Sequence, residues 1–172
     1  QAKWLSGIYG DQYSDKLKDI TETYIRLAFS REPEAMGWGY EWNSNKYARE
    51  RPTDAEYSFN NYNEAENRIG SYLKIEKEAT DIYRSLPENE RASLFELGLY
   101  PVKGAGLMNR MWLTAALQRQ YVFEKRSAAN NLRDKVNEIY DSLKLITDMY
   151  NHQLNGKWDP IMSLRQGFPA SY

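Results

Sequence analysis

The segment SAANNLRDKVNEIYDSLKLITDMYNHQLNG, residues 127–156, carries the clearest structural signal in this chain. Its apolar side chains recur every three or four residues, which places them on one face of an α-helix. Ser127 can cap the start of this helix. Asn155 and Gly156 can end it, because glycine readily takes the left-handed conformation after a helix C-terminus. The apolar face consists of Leu132, Val136, Ile139, Tyr140, Leu143, Ile146, Tyr150 and Leu154.

The same periodicity occurs in three earlier parts of the chain. A first helix is expected to end near Ser30, because Pro33 disfavours helical geometry at Glu32. A second helix follows Asn63, which with Glu66 has the spacing of a capping box. A third helix starts at Pro87, which suits a first helical position, and runs to about Lys125. The apolar faces of these helices are Leu17, Ile20, Tyr24, Leu27 and Ala28, then Ala65, Ile69, Tyr72, Leu73, Ala79, Ile82, Tyr83 and Leu86, then Leu94, Phe95, Leu99, Leu107, Met108, Met111, Trp112 and Ala115.

These patterns predict an all-α fold, an up-and-down bundle of four to five helices. One long loop, at about residues 32–61, joins the first two helices. The fifth helix arises if Pro101 splits the third one, since proline lacks a backbone donor and kinks or breaks a helix. We expect residues 1–172 to be a single helical-bundle domain excised from a larger multidomain enzyme. Residues 159–172 are expected to be the exit linker to a following domain.

Composition excludes several classes of function. The 172 residues have a net charge of −1, so no basic or acidic excess points to nucleic acid or to a membrane surface. Cysteine is absent, which excludes disulfides and thiolate metal sites. The chain is rich in aromatic residues, with 14 tyrosines, 5 tryptophans and 5 phenylalanines. Such side chains serve cores, interfaces and sugar-stacking surfaces, and composition does not choose among these.

Signatures of catalysis are lacking in the sequence. His152 is the single histidine, and its place at a helix C-terminus is explained by favourable helix electrostatics. The carboxylate pairs Glu64/Glu66 and Glu88/Glu90 lie in first turns of predicted helices, where the same electrostatics explain them. The glycines at 104 and 106 lack the context of a phosphate-binding loop. We therefore assign no catalytic residue, and we expect neither a cofactor nor a metal.

The loop sequence GWGYEW, residues 37–42, has two possible interpretations. Trp38, Tyr40 and Trp42 can form a sugar-stacking face, which makes them candidate substrate-binding residues. They can equally anchor the loop onto the bundle or onto another domain, and this interpretation is favoured because large aromatic residues in irregular segments usually do so.

The stretch NGKWDPIMS, residues 155–163, follows the last helix. Gly156 ends that helix, Lys157 can lie near its free carbonyls, and Trp158 can fold back onto the bundle. A structural fastening is favoured over sugar contact here, since a buried tryptophan contributes far more to stability than an exposed one.

Three segments together resemble the helical domain of glycoside hydrolase family 115. They are NNYNEAENRI (residues 60–69), FELGLYPVKGAGLMNRMW (residues 95–112) and YNHQLNGKWDPIMS (residues 150–163), and REPE (31–34) and RSAANNL (126–132) fit the same pattern. The resemblance covers nearly the whole chain, although the terminal DPIMSLRQGFPASY departs from the usual continuation of the family. Within these motifs we assign structural or interface roles to Pro101, Asn109, Trp112, Gly156, Lys157 and Trp158.

The resemblance implies a role within a larger protein. Family members are α-glucuronidases that remove glucuronic acid or 4-O-methylglucuronic acid from xylan with inversion. Their catalytic carboxyl groups belong to a barrel domain, so this segment by itself is expected to be inert. The implied partners are the other domains of the parent glycosidase, a second copy in a homodimer, and a xylan-derived glucurono-oligosaccharide, with neither nucleic acid nor membrane. The implied location is secreted or periplasmic.

Two other hypotheses remain open on the sequence. The chain can be a free-standing helical glycan-binding module that uses Trp38, Tyr40 and Trp42 as its platform. It can also be an unrelated helical interaction domain.

Overall fold

The computed structural model of the protein describes residues 2–33, 36 and 57–162. These residues form six α-helices and one π-helical turn, and none of them lies in a β-strand. The prediction of an all-α bundle is confirmed. The elements are α1 (Ala2–Tyr9), α2 (Asp11–Ser30), α3 (Glu64–Ser85), α4 (Glu88–Leu94), the π-turn (Phe95–Leu99), α5 (Tyr100–Phe123) and α6 (Ala129–Gly156).

The helices pack in the sequence α1–α2–α3–α5–α6, each against the next. The main core lies between α1, α2, α3 and the π-turn, and includes Leu17, Ile20, Tyr72, Ile82 and Phe95. A second cluster joins α5 to α6, and a third covers the start of α3. None of the described helices is long and apolar enough to cross a membrane.

Two predicted segments are described only in part. Most of the predicted loop at 32–61 lies outside the described residues, and so do residues 163–172 of the expected exit linker. Both remain predictions there. Residues 159–162 are described, and they follow α6 without helical structure.

Helix α1 was not predicted from the sequence. It has only eight residues, and Gly10 follows it with a positive φ of 89°. Leu5 and Tyr9, one turn apart, are buried in the main core. The Tyr9 hydroxyl donates to Ser93 Oγ at 3.2 Å, which ties α1 to α4. A helix this short is marginal in isolation, so its tertiary contacts are what stabilise it.

Pro101 does not split the third helix. The backbone stays right-handed helical from α4 through the π-turn into α5, where Pro101 is the second residue. The Tyr100 N–H donates to the Phe95 carbonyl, five residues earlier, as expected of a π-helical turn. The wider turn immediately before proline accommodates the missing donor without a break. The described residues therefore form five helical rods: α1, α2, α3, α4–α5 and α6.

The predicted side-chain caps of two helices are wrong. Asn63 precedes α3 as expected, but its backbone is left-handed (φ 52°, ψ 36°) and its side chain makes no capping hydrogen bond. Glu64, and not Glu66, reaches back, because its Oε2 accepts from the Ser58 N–H at 3.0 Å. At the start of α6 the cap position is Ala128 and not Ser127, so no side chain caps that helix.

The last helix ends earlier than predicted. Gln153 leaves helical geometry with ψ 159°, and Leu154, Asn155 and Gly156 then have positive φ values of 52°, 59° and 76°. Leu154, predicted on the apolar face, is therefore 52% exposed. Gly156 has the expected positive φ, but two non-glycine residues before it share that feature.

Candidate functional site

The aromatic loop residues proposed for substrate contact, Trp38, Tyr40 and Trp42, lie outside the described residues. On either side of that loop, the end of α2 and the start of α3 are joined through one buried side chain, Arg68. We call the group around it the Arg68 clasp: Arg68, Asn109, Ser30, Tyr57 and Tyr72.

Arg68 is only 5% exposed, although it carries a permanent charge. Its Nη1 donates to the Leu27 carbonyl at 3.0 Å and to Ser30 Oγ at 2.8 Å. Its Nη2 donates to the Arg31 carbonyl at 2.8 Å. These carbonyls belong to the C-terminal end of α2, where the helix dipole is negative. Among the described residues, the guanidinium is thus stabilised by the helix end and not by a carboxylate.

Asn109 completes the clasp from α5. It is fully buried, at 0% exposure, and its Oδ1 accepts from Arg68 Nε at 2.6 Å. Its Nδ2 donates to the Ala105 carbonyl at 2.8 Å. A buried amide is tolerated inside a helix when both of its ends are paired in this way. Asn109 therefore links α3, and through Arg68 also α2, to α5.

Two tyrosine rings enclose the guanidinium. The Arg68 Cζ lies 4.6 Å from the ring centroid of Tyr57 and 5.4 Å from that of Tyr72. Both distances are typical of cation–π contacts. Burial raises the pKa of Tyr72 to about 12, and the Arg68 charge opposes that rise.

Helices α3 and α5 approach closely next to the clasp. A Cβ added at Gly106 would lie 3.4 Å from the Tyr72 Cβ, so the two helices leave little space between them at this glycine. One turn further along α3, Glu76 pairs with Arg110 at 3.2 Å and with Lys103 at 3.9 Å. These ion pairs join the same two helices.

Trp112 belongs to the third core cluster, beside the clasp. It packs with the buried side chains of Met36, Ala65 and Leu113. Met36 is almost fully buried, so this residue beyond the end of α2 is fixed against the start of α3 and the middle of α5. The indole Nε1 of Trp112 is buried and bonds to none of the described residues.

At the opposite end of the bundle, the π-turn holds the end of α6. Glu96 Oε1 accepts from Trp158 Nε1 at 2.7 Å and from Gln153 Nε2 at 3.0 Å. Lys157 Nζ lies 4.5 Å from the centre of the Trp158 ring. We call Glu96, Gln153 and Trp158 the exit latch. Pro101 lies in the first turn of α5, just after the π-turn that carries Glu96.

Two further contacts reinforce the exit latch. The side chain of Asn151 bonds to both backbone groups of Met162, donating from Nδ2 to its carbonyl and accepting its N–H at 3.0 Å. The rings of Tyr100 and Tyr150 pack with centroids 4.6 Å apart. Burial raises the pKa of Tyr150, and the nearby Glu96 carboxylate adds to the rise. The chain leaving α6 is therefore held against the bundle as far as Met162.

The described residues offer little for acid–base or metal chemistry. They contain no group of three or more histidine, cysteine or acidic side chains that could hold a metal ion. His152 is exposed, and its Nδ1 lies 2.8 Å from the Asp148 carbonyl of its own helix. A groove of about 340 Å³ between α2 and α3 is lined by side chains of both charges, including Lys16, Asp19 and Glu78.

Sequence reasoning missed the two central residues, Arg68 and Glu96. Arg68 did leave a signal, since it lies three residues after Ala65 and four before Tyr72 on the apolar face of α3. A charged residue at such a position indicates a buried polar network. Glu96 has no comparable signal, because its role depends on Trp158, 62 residues away.

Comparison with solved structures finds similar chains. The chain is similar in structure to a family GH115 4-O-methyl-alpha-glucuronidase with specificity for decorated arabinogalactans, with a TM-score of 0.73 and 26% sequence identity. The match covers 94% of this chain but only 20% of that protein. No protein-family model matches the chain, and neither does any curated protein. The resemblance inferred from the sequence motifs is confirmed.

Proposed function

We propose that this chain, which is a helical domain related to glycoside hydrolase family 115, serves as the non-catalytic scaffold of an α-glucuronidase. In this proposal it packs on the catalytic barrel of the parent enzyme and supports its dimer. The parent removes glucuronic acid or 4-O-methylglucuronic acid from xylan with inversion. In this proposal the barrel carries out the reaction, and the helical domain stabilises the barrel and the dimer.

The observation that carries the proposal is the extent of the structural match. Nearly the whole chain aligns with about a fifth of a much longer glycosidase. That relation is typical of one domain within a multidomain enzyme.

Two partly buried carboxylates, those of Glu76 and Glu96, support a structural role. Inverting glycosidases need two carboxyl groups about 6.5–9.5 Å apart with a water molecule between them. Glu76 is engaged by Arg110 and Lys103, and Glu96 is engaged by Trp158 and Gln153. Each of these carboxylates joins two elements of the bundle, so each has a role in packing.

Exposed apolar side chains support packing against other domains or a second subunit. Interfaces between domains or subunits cover apolar side chains that are exposed in the separate chain, and some of these side chains lie one turn apart on the same helix, as Leu145 and Met149 do on α6. Apart from Tyr62, the exposed set comprises Trp4, Ile8, Ile25, Phe29, Leu73, Leu97, Val122, Phe123, Leu145, Met149, Leu154 and Ile161.

The same relationship supports a proposal for the substrate and for the location of the parent enzyme. The related enzyme has specificity for decorated arabinogalactans, and the family resemblance points to xylan. Both are polysaccharides, which an enzyme encounters outside the cytoplasm. We therefore propose that the parent enzyme is secreted or periplasmic.

The test uses the complete reading frame that encodes this chain. The intact protein and a variant lacking residues 1–172 are incubated with glucuronoxylan and with arabinogalactan, and the released uronic acid is measured together with the molar mass. We expect release and a dimer from the intact protein, neither from the deletion variant, and no release by the chain alone. A reading frame without a glycosidase domain, or uronic acid released by this chain alone, would overturn the proposal.

A further inference from the structure

Tyr62 is presented to solvent in an unusual way. Its side chain is 92% exposed, and its backbone is left-handed with φ 55°. The next residue, Asn63, is left-handed as well, with φ 52°. Asparagine tolerates this conformation, but for a bulky aromatic residue it is a genuine outlier. An exposed ring gains almost no burial energy to offset that strain.

The turn that carries Tyr62 is held by a dense set of hydrogen bonds. We call residues 57–64 the Tyr62 turn. Ser58 Oγ accepts from the N–H groups of Asn60 and Asn61, both at 3.0 Å. Asn67 Nδ2 donates to the Tyr62 carbonyl at 3.2 Å, and the Glu64 carboxylate accepts from the Ser58 N–H. The ring of Tyr62 therefore projects into solvent from a turn that these hydrogen bonds hold in place.

Strained display of an exposed aromatic ring is typical of a binding contact. Strain of this kind persists where the surrounding structure enforces it, and it clusters at functional sites. A ring that is already positioned loses little conformational entropy when a ligand stacks on it.

The chemistry around the ring indicates the kind of ligand. The side-chain amides of Asn60, Asn61 and Asn63 are exposed and bond to none of the described residues, so their donors and acceptors are available. Side-chain amides can form hydrogen bonds with the hydroxyl groups of a sugar, and the C–H face of the sugar can stack on the aromatic ring. Residues 57–67 contain two glutamates and neither lysine nor arginine, which disfavours an acidic sugar.

We propose that the Tyr62 turn binds a neutral pyranose of a polysaccharide chain, with the sugar stacked on Tyr62 and its hydroxyl groups held by the neighbouring asparagines. The choice of a glycan over a protein partner rests on the proposed function. In this arrangement the domain contacts the neutral backbone of the polysaccharide, and the catalytic barrel binds the uronic acid.

The experiment is an NMR titration of the full 172-residue chain with neutral xylo-oligosaccharides and galacto-oligosaccharides, and separately with glucuronic acid. We expect saturable shifts of the backbone amide signals of Asn60, Asn61 and Asn63 with the neutral sugars only. Tyr62→Ala should weaken binding at least about tenfold, the loss of one stacked ring. Tyr62→Phe should retain most of it.

Phe29→Ala is the matched control, because Phe29 is 93% exposed but lies in regular helix α2. It should leave saccharide binding unchanged. Absence of saturable shifts, equal shifts in Tyr62→Ala, or stronger binding of glucuronic acid would each overturn the glycan assignment. Uronic acid release by the complete enzyme is a separate measurement, so the scaffold proposal stands or falls independently of this one.

Discussion

Arg68 and Asn109 lie 41 residues apart in sequence, yet Arg68 Nε is 2.6 Å from Asn109 Oδ1 in the interior of the bundle. The pair connects three helices, because the other nitrogens of Arg68 bind the end of α2. Loss of this hydrogen-bonded pair should therefore lower the stability of the whole bundle.

Arg68→Met should destabilise the chain by about 3 kcal/mol or more, because it leaves buried acceptors without a donor. Urea denaturation measures the change. Arg133→Met, at an exposed site on α6, is the control and should change stability by less than about 0.5 kcal/mol. In a double-mutant cycle with Asn109→Leu, the two losses should be less than additive. Additive losses would contradict direct coupling.

Tyr72 should make the fold sensitive to alkali. The native state keeps the phenol proton up to a pKa of about 12, whereas the unfolded chain loses it near the ordinary pKa of 10.0. The native state therefore binds more protons in this window, and stability falls as pH rises from about 10 to 12, by up to about 3 kcal/mol. Tyr72→Phe should reduce that fall when stability is measured across the window. Tyr62→Phe, at an exposed site, should leave it unchanged.

The exit latch should contribute measurably to stability. Trp158→Phe removes the bond to Glu96 and should cost about 2 kcal/mol, the usual range for a hydrogen bond to a charged group. Trp158→Ala removes ring contacts as well and should cost about 3 kcal/mol. Ile161→Ala, at an exposed neighbour, serves as the control in the same thermal or urea unfolding. A loss below about 1 kcal/mol for Trp158→Ala would reopen a ligand-binding role for this residue.

The two glycines in the first half of α5 should respond differently to alanine. At Gly104 an added Cβ makes only an ordinary contact with Ile146 at 4.0 Å, so Gly104→Ala should stabilise by up to about 1 kcal/mol through helix propensity. At Gly106 the added Cβ meets Tyr72 Cβ at 3.4 Å, which should cancel part of that gain. Melting temperatures of the two variants give the comparison, and equal stabilisation would contradict close packing at Gly106.

Tyr62→Gly should be neutral or stabilising, by up to about 1 kcal/mol, because glycine adopts the left-handed conformation without strain. Phe29→Gly, equally exposed but in regular helix, should instead cost about 1 kcal/mol. Unfolding experiments on both variants separate backbone strain from loss of the ring. A clear destabilisation by Tyr62→Gly would show that this backbone is not strained.

Most helices of the fold could be predicted because their signal is local. The apolar residues of α3 and α6 repeat at the helical period, and any such segment must bury that face. Helix α1 was missed since its eight residues show too few repeats. The outcome at Pro101 was missed because the sequence reveals the missing donor but not the π-turn that accommodates it.

The spacing and order of residues along the chain were enough to predict the all-α class, the main helices and the resemblance to the family 115 helical domain. The contacts of Arg68 with Asn109 and of Glu96 with Trp158 emerge only from the three-dimensional packing of the helices. Those contacts depend on how the helical rods rotate and approach one another. The first pair is separated by 41 positions and the second by 62, so the local sequence around a residue does not indicate its partner.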